Sequence, residues 1–197
     1  MNLPISQNAG LYIHIPFCVR KCPYCDFYSV TDLALKPMFL KALIAEMELV
    51  SAEGLCFDTL YIGGGTPSVY GYHDIGRIIS AVLQNFDFQP DFEITIEVNP
   101  GTVSLEQLNG YRKAGINRIN IGVQSFSQKN LGFLGRIHTT DEARNAVTEA
   151  QRAGLIDIGL DLIYGLPEQT PGSWKKDLMQ AIRRGPKHLS CYLLTYE

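Results

Sequence analysis

No apolar run in this sequence approaches the length needed to span a bilayer. The opening "MNLPISQNAG" has neither the basic segment nor the apolar stretch of a secretory signal. Any membrane association is therefore expected to be peripheral, through a partner, and the expected location is the cytoplasm. Basic excess is missing too: formal net charge is −3 and no long basic run occurs. A surface that tracks a phosphate backbone is not expected, so no nucleic-acid partner is predicted, although a local basic patch stays open. Histidine is sparse, at His14, His73, His138 and His188, and a lone histidine is more often structural than a ligand. What remains is an ordinary globular composition, 46% hydrophobic and 19% charged over 197 residues, enough for a sizeable core.

Cysteine is present in an odd number, five, with no export signal, which argues against a disulfide framework. Cys56 and Cys191 stand alone and read as buried apolar residues. Cys18, Cys22 and Cys25 instead crowd into "HIPFCVRKCPYCDFYS" with the spacing C-x3-C-x2-C. Three thiols so close point to metal or redox chemistry.

Six β-like runs alternate with helical stretches: "LYIHI" (11–15), "DTLYIG" (58–63), "FEITIEV" (92–98), "INRINIGV" (116–123), "LIDIGLDL" (155–162) and "HLSCYLL" (188–194). The intervening segments carry apolar residues near helical spacing, and two have cap signals at both ends, Ser104 to Gly115 and Thr140 to Gly154. A βα repeat implies a parallel sheet with right-handed crossovers.

Parity separates a flat doubly wound sheet from a barrel. Strands buried between two helix layers read as continuous apolar runs; these alternate. Phe92, Ile94, Ile96 and Val98 oppose Glu93, Thr95 and Glu97. Ile119, Ile121 and Val123 oppose Arg118, Asn120, Gly122 and Gln124. Ile156, Ile158 and Leu160 oppose Asp157, Gly159 and Asp161. One apolar and one polar face per strand suits a curved sheet with helices outside and a polar ligand in the concave interior. Six strands are too few to close as eight do. The reading is an α/β fold, an open six-stranded (β/α)6 partial TIM barrel with its chemistry at the C-terminal strand ends. Tyr12 and His14 share the interior face of the first strand, while Cys191 falls with Leu189 and Leu193 on the helix side.

The cysteine trio follows the first strand and so lies on a strand-end loop. Structural zinc wants four ligands, usually as two separated pairs, and His14, pointing into the barrel, is poorly placed as a fourth. A [4Fe–4S] cluster also normally takes four cysteines; three would leave one iron open for a ligand.

The text "YIHIPFCVRKCPYCDF", then "YIGGGTPS", "IEVNPGT", "GVQSF" and "DLIYGLP", resembles the radical S-adenosylmethionine (SAM) superfamily, within the group of oxygen-independent coproporphyrinogen oxidases and heme chaperones. The resemblance runs from about residue 11 to 197 with its motifs in order. It implies a [4Fe–4S] cluster on Cys18, Cys22 and Cys25, with the open iron taking the methionine end of SAM. Reductive cleavage of the sulfonium to a 5′-deoxyadenosyl radical is then the cofactor's chemistry, which the protein holds and shields. The same resemblance implies SAM contacts from Gly64, with Gly65 and Thr66 nearby, and from Glu97, and places Tyr12 and Tyr24 close to the cofactor. The family's oxidase binds a second SAM, at positions matching Tyr24, Gly65, Thr66, Gln124, Arg136 and Asp161. For Arg136, which follows "LGFLG" outside any strand, a surface salt bridge is the competing reading.

The oxidase branch carries C-x3-C-x2-C-x-C, and Phe27 stands at that last position here. The heme-chaperone branch carries C-x3-C-x2-C-x-F, and oxidases have a longer segment before the first strand. Both departures favour a heme chaperone without coproporphyrinogen dehydrogenase activity. Its implied partners are heme or porphyrin, a heme-accepting protein and an electron donor to the cluster. The family's His-Asn-x-x-Tyr-Trp heme motif, from its C-terminal domain, does not occur in these residues. The chain is therefore expected to be the radical SAM core domain, 1–197, of a longer protein, with heme bound only by the full-length form. Other radical SAM substrates, such as RNA or a small metabolite, are the remaining enzyme class, and a zinc-bearing structural barrel is the plainest alternative.

Overall fold

The computed structural model describes residues 8–50 and 54–195. Residues 51–53, into which the sequence pattern extends the first helix, lie outside the described residues, as do 196 and 197.

The strands are β1 (Asn8–Ile15), β2 (Cys56–Gly64), β3 (Asp87–Val98), β4 (Arg118–Gln124), β5 (Asp157–Tyr164) and β6 (His188–Leu193). All pair in parallel in the order β1-β2-β3-β4-β5-β6. The helices are α1 (Lys36–Leu49), α2 (Tyr72–Asn85), α3 (Leu105–Lys113), α4 (Gln128–Phe133), α5 (Thr140–Arg152) and α6 (Pro171–Ile182). Sequential order with β1 and β6 as the two edges, not paired to each other, makes an open, curled (β/α)6 half-barrel. No helix among the described residues is long and apolar enough to cross a membrane.

Strand register turns the alternation into layers. Leu60 pairs with Ile94, Ile62 with Ile96, Ile96 with Ile119, Ile119 with Ile158 and Ile121 with Leu160. These side chains are buried beneath the helices and form one core with Ile75, Ile78 and Val82 of α2 and Ala143, Ala146 and Val147 of α5. Full burial of each large aliphatic stabilises by about 1.5–3 kcal/mol. The opposite face carries a polar row running Tyr12, Tyr61, Thr95, Arg118 and Asp157 across β1 to β5.

Four sequence expectations need correction. β5 starts at Asp157, so Ile156 is 73% exposed and does not join the apolar face of Ile158 and Leu160. The cap of α5 is Thr139, whose hydroxyl accepts from Glu142 N while the Glu142 carboxylate accepts from the Thr139 backbone, a full capping box. β3 begins at Asp87, earlier than Phe92, with Asp91 at φ 60°. Cys56 and Cys191 are exposed rather than buried. Cys191 keeps the parity of Leu189 on the edge strand β6, yet stays exposed while Leu189 packs against the core.

Candidate functional site

Residues 16–30 leave β1 as a tied loop. Phe17 anchors its entry, packed edge-on against Phe39 at 5.3 Å and Tyr70 at 6.0 Å between ring centres. Cys18 N donates to Val30 O at 3.0 Å and Val30 N to Pro16 O at 2.7 Å, closing the loop's two ends on each other. The end of β2 straps across this entry: Gly65 N donates to Ile15 O at 2.8 Å and Thr66 N to Phe17 O at 2.7 Å. Gly65 has to be glycine, since a Cβ there would stand 2.8 Å from Phe17 O and 3.1 Å from Cys18 Sγ. Gly64 sits at φ +112°, with His14 filling the space a side chain would need.

The three cysteines are free thiols on this loop, Cys18 buried, Cys22 and Cys25 partly so. The Thr66 hydroxyl donates to Cys18 Sγ at 3.4 Å, and Arg136 Nη1 donates to Cys22 Sγ at 3.6 Å. Burial pushes the Cys25 thiol up; the Phe27 backbone opposes this, and the nearby Cys22 and Cys18 push it further. Among the described residues no three potential ligands are grouped to hold a single ion. A cluster takes one thiolate per iron, so single-ion spacing is not what it requires. His14 is committed elsewhere, with Nε2 3.0 Å from Tyr28 O and Nδ1 3.1 Å from the Tyr12 hydroxyl. Tyr28 O can only accept, so Nε2 carries a proton toward it.

Below the loop lies the polar interior. Glu97 accepts from Tyr61 Oη at 2.7 Å and from Gly64 N at 3.1 Å. Burial raises its carboxyl pKa, and those two bonds and His14 pull it back. Across the barrel, Asn120 Nδ2 donates to Asp161 Oδ2 at 2.7 Å. Burial and the charge of Glu97 push Asp161 up to about 6. Asn120 Oδ1 and Asp161 Oδ1 are buried without a hydrogen-bond partner, as is Arg136 Nε. Buried polar atoms left without a partner suit a polar ligand.

Arg136 is drawn inward, not paired at the surface. Its Nη1 also donates to Tyr24 Oη at 3.3 Å, and Nη2 to Gly122 O at 2.9 Å. Arg20 reaches the carbonyls of Gly135 and Arg136 from the cysteine loop and ties the two segments together. Gln124 closes β4 at φ 64°, a conformation rare outside glycine. The turn after it is held from α6, where Asp177 accepts from the Ser125 hydroxyl and from Phe126 N at 3.1 Å.

The structure thus brings Tyr24, Gly64, Gly65, Thr66, Glu97, Gln124, Arg136 and Asp161 to the C-terminal end and interior of the sheet, beside the cysteine loop. Tyr12 lies on the interior face as parity predicts, 54% exposed and stacked on Tyr61 at 6.0 Å. Tyr61 opens the "YIGGGTPS" motif without being singled out by it, and Asn120 lies outside the motifs, although both carry interior parity. Asp177, on the outer helix layer, has no motif signal at all. A cavity of about 510 Å³ adjoins the loop, lined by Lys21, Tyr24, Cys25, Asp26, Phe133 and Leu194. His138 is enclosed between Asn99 Oδ1 at 3.2 Å and Val123 O at 3.1 Å, so it has no free nitrogen for a ligand.

The model of the radical SAM superfamily matches residues 12–181. The chain is 44% identical over 203 residues to the heme chaperone HemW of Haemophilus influenzae, covering 99% of this chain and 53% of that protein. It is 35% identical over 197 residues to the mitochondrial radical S-adenosyl methionine domain-containing protein 1 of Bos taurus, covering 98% and 45%. The solved coproporphyrinogen III oxidase HemN from Escherichia coli superposes with a TM-score of 0.88 at 31% identity, over 98% of this chain and 45% of that one. The chain spans about half the length of the curated relatives it matches.

Proposed function

The chain belongs to the radical SAM superfamily, and from that premise we propose that residues 1–197 are the cluster- and SAM-binding core of a heme chaperone that delivers heme to an acceptor protein. Cys18, Cys22 and Cys25 would hold a [4Fe–4S] cluster, one thiolate per iron, with one iron left for the cofactor. When bound, cluster and SAM supply one-electron chemistry at the sulfonium.

The chain's own residues do the holding. Gly64, Gly65 and Thr66 let the backbone approach closely, and Glu97 offers an oriented carboxylate. Tyr12 and Tyr24 supply flanking rings. Gln124, Arg136 and Asp161 present polar groups from the far wall, and the unpartnered Arg136 Nε and Asp161 Oδ1 support a ligand there. Whether that wall takes part of one SAM or a second is decided by SAM stoichiometry.

The observation that carries the chaperone reading is the identity of 44% with a heme chaperone across 99% of this chain. Phe27, 66% exposed at the position of the oxidases' additional cysteine, agrees with it. The close superposition on HemN favours the second reading, an oxygen-independent coproporphyrinogen III dehydrogenase. The test is the full-length protein, reduced and supplied with SAM. Heme binding and transfer without decarboxylation of coproporphyrinogen is expected, and robust turnover to protoporphyrinogen establishes the second reading instead. Residues 1–197 alone should take up cluster and SAM but hold heme poorly.

A further inference from the structure

We infer that Tyr61, which lies outside the predicted site residues, is a positioning residue that holds Glu97 as a fixed hydrogen-bond acceptor for SAM; this rests on the cofactor reading above. Tyr61 stands on the interior face of β2, paired in register with Tyr12 on one side and Thr95 on the other. Its hydroxyl donates to one Glu97 oxygen at 2.7 Å, while Gly64 N donates to the other at 3.1 Å. Both donors come from the end of one strand, so the carboxylate is pinned at both oxygens to the segment that meets the cysteine loop.

Gly63 leaves room for this pair. A Cβ there would lie 2.8 Å from the Tyr61 ring and 3.1 Å from the Glu97 carboxyl carbon. The other face of the Tyr61 ring is near Tyr12, stacked at 6.0 Å and 29°. One side chain therefore supports two residues predicted to meet the cofactor.

The electrostatics favour a permanent donor. Burial, then the charge of Glu97, raise the Tyr61 phenol far above its usual range, so the hydroxyl keeps its proton. For Glu97, burial favours the neutral acid, and Tyr61 is the first of the groups that oppose it, ahead of Gly64 N and His14. The other titratable groups facing this carboxylate are Tyr12 from β1 and Asp161 from β5, and Arg118 from β4 acts on Tyr61. Loss of the Tyr61 hydroxyl leaves burial less opposed, and Glu97 then holds its proton to higher pH.

Tyr61→Phe keeps the ring and removes only the hydroxyl. In cluster-free protein, carbon-13 NMR of the Glu97 carboxyl, assigned by its loss in Glu97→Gln, should titrate about one pH unit or more higher in Tyr61→Phe than in the parent. After anaerobic cluster reconstitution, iron content should match the parent. The SAM dissociation constant should rise about tenfold at pH 8, and the ratio of variant to parent should grow as pH falls to about 6.5. A ratio of one at every pH, or an unmoved Glu97 titration, overturns the inference while the cofactor reading stands. A cluster-loaded parent that binds no SAM overturns the cofactor reading, and the positioning role with it.

Discussion

Arg136 Nη1 lies 3.6 Å from Cys22 Sγ although 114 positions separate the two residues. The same guanidinium donates to Tyr24 Oη and to Gly122 O, so one planar fork joins the cysteine loop to the end of β4. Lysine cannot reproduce a fork. Arg136→Ala and Arg136→Lys should both retain iron, since the thiols remain, while SAM affinity falls by about tenfold or more, as when a charged hydrogen-bonding group is removed. Isothermal titration with SAM on reconstituted protein measures this; full recovery in the lysine variant would mean that charge alone matters.

The cysteines divide three against two. Anaerobic reconstitution should give about four irons per chain with broad brown absorbance. Changing Cys18, Cys22 or Cys25 to Ala should abolish it, and Cys56→Ala or Cys191→Ala should leave it intact, because both lie exposed away from the loop. Stoichiometric zinc without iron uptake would identify a structural barrel instead.

Glu97→Ala and Gly64→Val should each weaken SAM binding by roughly 1–3 kcal/mol without loss of the cluster. The first strands the Tyr61 hydroxyl and Gly64 N–H. The second forces a branched side chain to φ +112° against His14, so its Tm should also fall. Unchanged affinity in both would put the cofactor elsewhere.

Asp161 supplies a pH signature. Its folded pKa, about 6, lies above its ordinary 3.8, so the folded protein binds the proton more tightly than the unfolded chain. Stability from this group therefore declines as pH rises between about 4 and 6, and the cost persists above that window. Asp161→Asn should be more stable than the parent at pH 7.5, by on the order of 2 kcal/mol, and the difference should vanish near pH 4. Denaturant titrations of both proteins at the two pH values test it. An equal difference at both would trace the effect to packing.

Parity made the interior legible, because a curved sheet with helices on one side forces every second residue inward. Glu97, Gln124 and Asp161 all follow that rule. Burial was less legible at the edge, where parity does not by itself fix coverage: Cys191 shares Leu189's side of β6 yet is exposed. Partner identity was the least legible. The Asn120–Asp161 bond depends on Gly159, where a Cβ would stand 2.4 Å from Asn120 Oδ1, a relation across strands that no single segment records. Arg136 is a similar case, since a loop residue carries no periodicity to give its direction. The helix α4 is too short, with Gly132 inside it, to generate a helical pattern.

The clasp between Cys18 and Val30 should separate loading of the proposed cluster from folding. In a zinc finger the metal organises the chain, and chelation unfolds it. Here two backbone hydrogen bonds, the buried Phe17 and the Gly65–Thr66 strap already close the loop around its thiols. Assembly of the proposed cluster should then be a late, local event on a loop that is already closed. Loss of the cluster to oxygen should accordingly be reversible, leaving a folded chain ready to be reloaded.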